Sequence, residues 1–329
     1  SYIKYEPLGT VGMISPWNFP VNLAFVPLVS IFAAGNQVMH KPSEHTPITS
    51  SLLKDLCDKS FDETEFATFL GGPEVGESFT QLNFDHLLYT GGGSVAKHVM
   101  NAASKNLVPC TLELGGKSPV VIGKSADLKT TAKRIMFGKT LNAGQICLAP
   151  DYVVVHKDQK DEFIKETKDA VSQYYPTLKD NEDYTSVINE KHYDRLKDLL
   201  SDAIEKGAHV DEINPSNEDF SQQEFYKIPP TIVTNTSDDM KIMQEEIFGP
   251  LLPVVEYDEI DEATSLINSK DRPLGLYYFG NNTSEENDLL NKTSSGGVTV
   301  NNVISHLQQN DLSFGGVGPS GMGRYKSFE

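Results

Sequence analysis

Cysteine is scarce in this chain: three in 329 residues, Cys57, Cys110 and Cys147, widely spaced and with no C-x-x-C pair. An odd number without pairing argues against a disulfide framework or a zinc ribbon and points to a reducing compartment, with no metal centre expected. Basic residues are also few, 28 Lys and Arg against 46 Asp and Glu, for a net charge of −18. Such a surface repels phosphate backbones and anionic lipids, so neither nucleic acid nor a membrane surface is expected as a partner. Acidic runs such as Asp180-Asn181-Glu182-Asp183 and Glu285-Glu286 read as solvated faces. Long hydrophobic runs are missing too. The longest, Leu23 to Ala34, has 12 residues and contains Pro27, too short to span a bilayer; it reads as a buried helix. No signal-peptide pattern precedes it, and the expectation is a soluble, cytoplasmic protein.

What is present is enough apolar content, 38%, for a chain of this length to bury a large core and form two domains. The first third alternates. Val11–Ser15, Gln37–Lys41, Phe66–Leu70 and His86–Tyr89 read as strands; Asn22–Ala34, a helix capped by Thr46 with Pro47 at its first position, Glu74–Leu82 and Ser94–Ser104 read as helices. That β-α-β-α order predicts a parallel sheet covered on both faces. Beyond a junction near Glu113–Pro119, strands are expected at Tyr152–Val155, Leu251–Glu256, Leu274–Phe279 and Val298–Val300. The helices between them are expected at Leu128–Leu141, Gln159–Tyr174, Lys191–Lys206, Ile260–Asn268 and Ser284–Lys292, with a polar loop over Asn214–Gln223.

Three segments carry candidate chemistry. Gly91-Gly92-Gly93-Ser94-Val95-Ala96 follows the strand ending at Tyr89; read as G-x-G-x-x-A it fits a dinucleotide-phosphate turn, though a plain tight turn fits equally well. Asn142-Ala143-Gly144-Gln145-Ile146-Cys147 places a cysteine beside Gly144 and Gln145, which suggest an accessible turn. A lone cysteine among apolar residues is more often packing, and no histidine motif stands near it to suggest a papain-type hydrolase. Thr111-Leu112-Glu113-Leu114-Gly115-Gly116-Lys117 sets an acidic residue at a strand end before two glycines. Composition leaves Glu113 open between a base, a solvated turn and a ribose ligand of the glycine turn.

Taken together these segments resemble the aldehyde dehydrogenase superfamily. Pro16-Trp17-Asn18-Phe19-Pro20, Lys41-Pro42-Ser43-Glu44, Leu112–Lys117, Gly144-Gln145-Ile146-Cys147 and Glu245-Glu246-Ile247-Phe248-Gly249-Pro250 are similar to its motifs, in its order. Phe314–Gly323 looks like its C-terminal signature. Ala149-Pro150-Asp151-Tyr152 is similar to the class 3 branch, and Tyr174–Leu178, Asp180-Asn181 and Asp183–Ser186 resemble its bacterial coniferyl aldehyde dehydrogenases. The resemblance covers essentially the whole chain. It implies an α/β fold with a Rossmann-type parallel-sheet cofactor domain (1–112), a second α/β catalytic domain (113–312), and a C-terminal segment (313–329) returning toward the first.

It also implies roles. Cys147 is the nucleophile on a small aldehyde substrate, Asn18 and the Cys147 backbone N–H donate to the oxyanion, and Glu113 activates the water that hydrolyses the thioester. The cofactor is NAD, with NADP possible: Lys41 and Glu44 at the adenosine ribose, Gly91, Gly93 and Ser94 at the phosphates, Glu246 at the nicotinamide ribose, Phe248 beside the nicotinamide, and the backbone of Ile14, Trp17 and Leu114 lining the cleft. Gly93 and Ala96 depart from the family's usual Gly-x-Thr or Gly-x-Ser turn, which bears on cofactor affinity. Asn22, Phe25 and Met243 are candidates for a tunnel admitting an aromatic aldehyde, or simply core. The chain is expected to lack the N-terminal helices and the tail through which family members pair as homodimers. Other readings are a fold-retaining non-catalytic homologue, a thiol esterase using Cys147, Asn18 and Glu113, or a CoA-acylating relative, which would generally lack the glutamate at position 113.

Overall fold

The computed structural model describes residues 2–326. The chain divides into two compact units: residues up to Leu114 together with those from Gln309 onward, and Gly115–Gln308. In the first unit, β1 (Thr10–Ile14), α1 (Asn22–Ala33), β2 (Gln37–Lys41), α2 (Pro47–Ser60), β3 (Phe66–Thr68), α3 (Pro73–Thr80), β4 (His86–Thr90), α4 (Gly93–Ser104) and β5 (Cys110–Glu113) alternate without exception. In the second, β6 (Pro119–Ile122), α5 (Leu128–Thr140), β7 (Tyr152–His156), α6 (Lys160–Tyr174), α7 (Glu190–Glu205), β8 (His209–Glu212), β9 (Thr231–Thr234), α8 (Lys241–Gln244), β10 (Leu251–Tyr257), α9 (Ile260–Asn268), β11 (Gly275–Phe279), α10 (Thr283–Lys292) and β12 (Gly297–Val300) follow; the chain then rejoins the first unit with β13 (Gly321–Met322).

The first sheet has the order β13-β5-β4-β1-β2-β3, parallel throughout except for antiparallel β13 against β5. From β1 the chain builds outward through β2 and β3, then crosses back to add β4 and β5 on the other side. The strand order therefore reverses between β1 and β4, the place where open parallel sheets leave a crevice beyond their carboxyl ends. Two apolar clusters, one around Phe79, Phe84, Leu87 and Leu112 and one around Met13, Leu28, Val38 and Phe66, pack the sheet. The second sheet has the order β12-β11-β6-β7-β10-β9-β8, with only β8 antiparallel. Its central strands divide by the period of two: Val121, Tyr152 and Val154 join one cluster, Val120, Ile122, Val153 and Val155 the other. Such strands are buried on both faces and read as unbroken apolar runs.

Several sequence expectations change. The helix expected to be buried, α1, buries only Ala24, Pro27 and Leu28, while Val26 and Val29 face outward. Length and apolarity marked a helix but not how many of its sides are covered. Thr46 precedes α2 without a side-chain cap; its hydroxyl lies 3.4 Å from that of Ser50. Strand β5 ends at Glu113, as the strand-end reading expected, whereas β6, β8, β9 and β13 are additional. β6 opens on a proline, allowed at the first residue of a strand because no ladder N–H is needed there. Among the described residues no helix is long and apolar enough to cross a membrane, and no group of His, Cys, Asp and Glu could hold a metal ion.

Candidate active site

The first unit gathers ten of the thirteen candidates at the carboxyl ends of its strands. Ile14 ends β1, and Trp17 and Asn18 follow in the half-buried bend before α1. Lys41 ends β2, buried, its ammonium 3.0 Å from the carboxylate of Glu44. Burial alone would raise the Glu44 pKa, but hydrogen bonds from its own backbone and from Lys41 overcome this and hold it below the ordinary value. Beneath Lys41, the Ser15 hydroxyl and His40 imidazole meet at 2.8 Å, tying the ends of β1 and β2. Burial, aided by the Lys41 charge, drops the His40 pKa to about 3, so this contact is made by a neutral ring.

The turn after β4 leads directly into α4, which begins at Gly93 with no side chain capping it. The first N–H groups of the helix are therefore bare, a ready anion site. Gly92 has φ −72 and Gly93 is absent from the positive-φ residues, so neither needs glycine for its backbone. A Cβ at either would meet nothing within 4 Å. The fold leaves this space open, and bare α-carbons there let a ligand approach the backbone closely. Ala96, by contrast, is packed into the core under Leu112 and Phe79. These features fit a dinucleotide phosphate.

Glu113 ends β5. It is 2% exposed, and neither carboxylate oxygen has a hydrogen-bond partner among the described residues. Its backbone is fixed on both sides: its carbonyl accepts from Gly91 N–H at 3.0 Å, Leu114 N–H donates to Ser320 at 3.2 Å, and Gly321 lies opposite it in β13. Burial pushes its pKa well above the usual carboxylate range, and the Arg324 guanidinium pulls it back only in part. The side chain is a held but unsatisfied acid.

The second unit carries the other three. Cys147 sits in a turn between α5 and β7 and is half-buried. Asn142, Ala143 and Gly144 ahead of it adopt φ 52, 52 and 74, a left-handed run that non-glycine residues rarely take. A Cβ on Gly144 would stand 2.4 Å from the Gly249 carbonyl, so this position admits only glycine. Gln145 is buried; its amide nitrogen donates to Asn142 and Ser186 carbonyls at 3.0 and 3.1 Å, and its oxygen accepts from Ile188 N–H at 2.9 Å. Gly144 and Gln145 thus do not make an accessible turn, as the sequence suggested. They anchor one whose next side chain outward is Cys147. Glu246 and Phe248 lie between α8 and β10. The Glu246 carboxylate rests against the bare α-carbon of Gly115, where a Cβ would be 2.2 Å from its oxygen. Burial raises its pKa to about 7 against a hydrogen bond from the Gly116 backbone.

Of the tunnel candidates, Met243 is core of the second unit, 2% exposed, whereas Asn22 is exposed and Phe25 packs partly on the first unit's core. For Met243 the core alternative applies. Sequence reasoning missed Lys117, Asp151 and Arg195, which surround Glu246. The first two stand inside quoted motifs; Arg195, on an ordinary amphipathic helix, gave no signal.

The whole chain, residues 1–329, matches the model of the aldehyde dehydrogenase family. It is 59% identical over 327 residues to a probable coniferyl aldehyde dehydrogenase of Caulobacter vibrioides, covering 99% of this chain and 67% of that one. A substrate-bound Staphylococcus aureus AldH structure superposes with a TM-score of 0.93 at 41% identity, over 99% of this chain and 70% of that one. Betaine aldehyde dehydrogenase of Staphylococcus aureus in complex with NAD+ gives 0.89 at 29% identity, over 98% and 65%. With a family-wide sequence match on a two-sheet α/β fold shared with solved members, this chain belongs to the aldehyde dehydrogenase family of oxidoreductases.

Proposed function

We propose that the protein oxidises an aromatic, coniferyl-like aldehyde to its carboxylic acid with NAD(P) as oxidant. The observation that carries the reading is Glu113. A buried carboxyl with both oxygens unpartnered costs stability and has no packing purpose, and its raised pKa suits a group that takes a proton from water near neutral pH.

In this reading the Cys147 thiolate attacks the aldehyde carbon, and the Asn18 amide and the Cys147 backbone N–H donate to the oxygen as it becomes negative. Such a pair of donors is typically worth about 3–4 kcal/mol of barrier each when removed singly. Bound NAD(P) would accept the hydride released from that carbon, leaving a thioester on Cys147. Glu113 then takes a proton from water as the water adds to the thioester, and the carboxylic acid departs with the thiol restored. Lys41 and Glu44 would hold the adenosine ribose, Gly91, Gly93 and Ser94 the phosphates, Glu246 the second ribose, and Phe248 the nicotinamide ring. The backbone of Ile14, Trp17 and Leu114 would line the cofactor's path. The bare start of α4 and the open space over Gly92 and Gly93 support the phosphate assignment. The 59% identity to a protein named for coniferyl aldehyde supports the substrate class.

The test is NADH formation by the full chain with a panel of aromatic and aliphatic aldehydes. Turnover of the aromatic members with acid as product is expected. Hydrolysis of aryl esters without any aldehyde oxidation would favour the esterase reading instead.

A further inference from the structure

Three charged side chains of the second unit converge on the backbone around Glu246. Lys117 donates from Nζ to the carbonyls of Ile242 at 2.7 Å and Glu245 at 2.8 Å, and to one carboxylate oxygen of Asp151. The other Asp151 oxygen accepts from Ile247 N–H at 2.8 Å. From α7, Arg195 donates to the Glu246 carbonyl at 3.2 Å and to that of Ile247. The carbonyls of Glu245, Glu246 and Ile247 are each held by a cation, and the Ile247 N–H by an anion.

Stability does not explain this arrangement. Lys117 and Asp151 are both buried, 8% and 3% exposed, and desolvating two ions consumes most of what their attraction returns; apolar residues of the same volume usually hold a fold as well. What the charges hold is a backbone that does not hold itself. The segment between α8 and β10 lies outside helix and strand, and Phe248 within it has φ 49, a left-handed conformation that an aromatic residue takes only when its surroundings impose it. The far end of Glu246 is fixed as well, by contact with bare Gly115 and a hydrogen bond from Gly116.

We propose that Lys117, Asp151 and Arg195 are positioning residues that lock Glu246 and Phe248 in the orientation that receives the nicotinamide half of the cofactor. This rests on the reading of Glu246 as a ribose ligand. The charged groups facing Glu246 are Asp151, Lys117 and Arg195, with Lys139 from α5 also within electrostatic reach. The first three bind the segment's backbone.

A double-mutant cycle tests it, because two residues acting through one contact do not have additive effects. Asp151→Asn keeps the size and one acceptor but removes the charge that balances Lys117. It should weaken NAD binding, measured by titration on the folded full chain, by about tenfold or more, while in a Glu246→Gln background it should add less than about twofold. Arg195→Met, at a half-buried position that tolerates substitution better, should behave alike, with partial rescue by Arg195→Lys. Melting curves on every variant separate loss of fold from loss of binding. Multiplying effects, or unchanged NAD affinity in both Asp151→Asn and Arg195→Met, would overturn the inference while leaving the ribose reading intact. Unchanged affinity in Glu246→Gln alone would overturn both.

Discussion

The Lys41 ammonium and the Glu44 carboxylate form a 3.0 Å ion pair in which the lysine is buried and the glutamate about one third exposed. The pair sets the sign of cofactor choice. A carboxylate accepts a hydrogen bond from a ribose 2′-hydroxyl but repels a 2′-phosphate, and its partial exposure keeps that repulsion moderate. Glu44→Gln should therefore narrow the preference for NAD over NADP by roughly tenfold, mainly through better NADP binding. The ratio of kcat/KM for the two cofactors checks it, and an unchanged ratio would remove Glu44 from the ribose.

Cys147→Ser should abolish aldehyde oxidation, since a serine hydroxyl without a paired base is a poor nucleophile. Because Cys147 is half-buried, its loop is held by Gly144 and Gln145, and serine is nearly isosteric with it, stability should change by less than about 1 kcal/mol. Near-normal turnover of the purified variant, or a large drop in melting temperature, contradicts this.

Glu113→Gln should leave the first turnover intact and stall the second, giving a burst of NADH followed by slow release. Weakened NAD binding without accumulating acyl-enzyme would identify Glu113 as a ribose ligand instead. The same substitution predicts a pH effect on stability. The folded-state pKa of Glu113 is raised, so the folded protein holds this proton over a range where the unfolded chain has released it. Its contribution is then present below the unfolded pKa and is lost as pH rises toward the folded one. A neutral glutamine escapes that loss, so the variant should melt higher than the parent at alkaline pH and show little difference near pH 4. Parallel melting curves at all pH values would refute the assignment of a buried, proton-binding carboxyl.

Gly93→Ala separates fold from ligand at one position. Gly93 opens α4 without a positive φ, and an added Cβ meets nothing within 4 Å. The variant should be unchanged or stabilised by roughly 0.4–1 kcal/mol, because alanine restricts the unfolded chain. Its NAD affinity should fall, because the methyl group occupies the approach to the helix N-terminus. Undiminished affinity would place the phosphates elsewhere.

The sequence was most informative where its signal is local. The alternation of the first unit, the turn into α4 and the helix spans of the second unit follow from periodicity and punctuation. Short strands such as β6 and β9 escaped because two or three apolar residues, after a proline in one and between threonines in the other, carry no period, and β8 because its mostly polar residues edge the sheet. Glu113 could not be assigned from composition: its meaning comes from burial and from the lack of a hydrogen-bond partner for its carboxylate among the described residues, neither of which a strand-end glutamate announces. Gln145 was misjudged for the opposite reason, since its side-chain amide bonds to residues 142, 186 and 188, two of them far along the chain.

The pairing of Gly321 with Glu113 across β13 and β5 also fixes an order of assembly. The second unit is a single continuous stretch, whereas the sheet of the first is finished only by residues that leave the ribosome after that stretch has been made. During synthesis β5 is an uncovered edge, open to pairing with other chains. Closure by a strand so distant in sequence is a slow event. Nascent or shortened chains ending before Gly321 would expose the very strand that carries Glu113, so aggregation should begin at that edge.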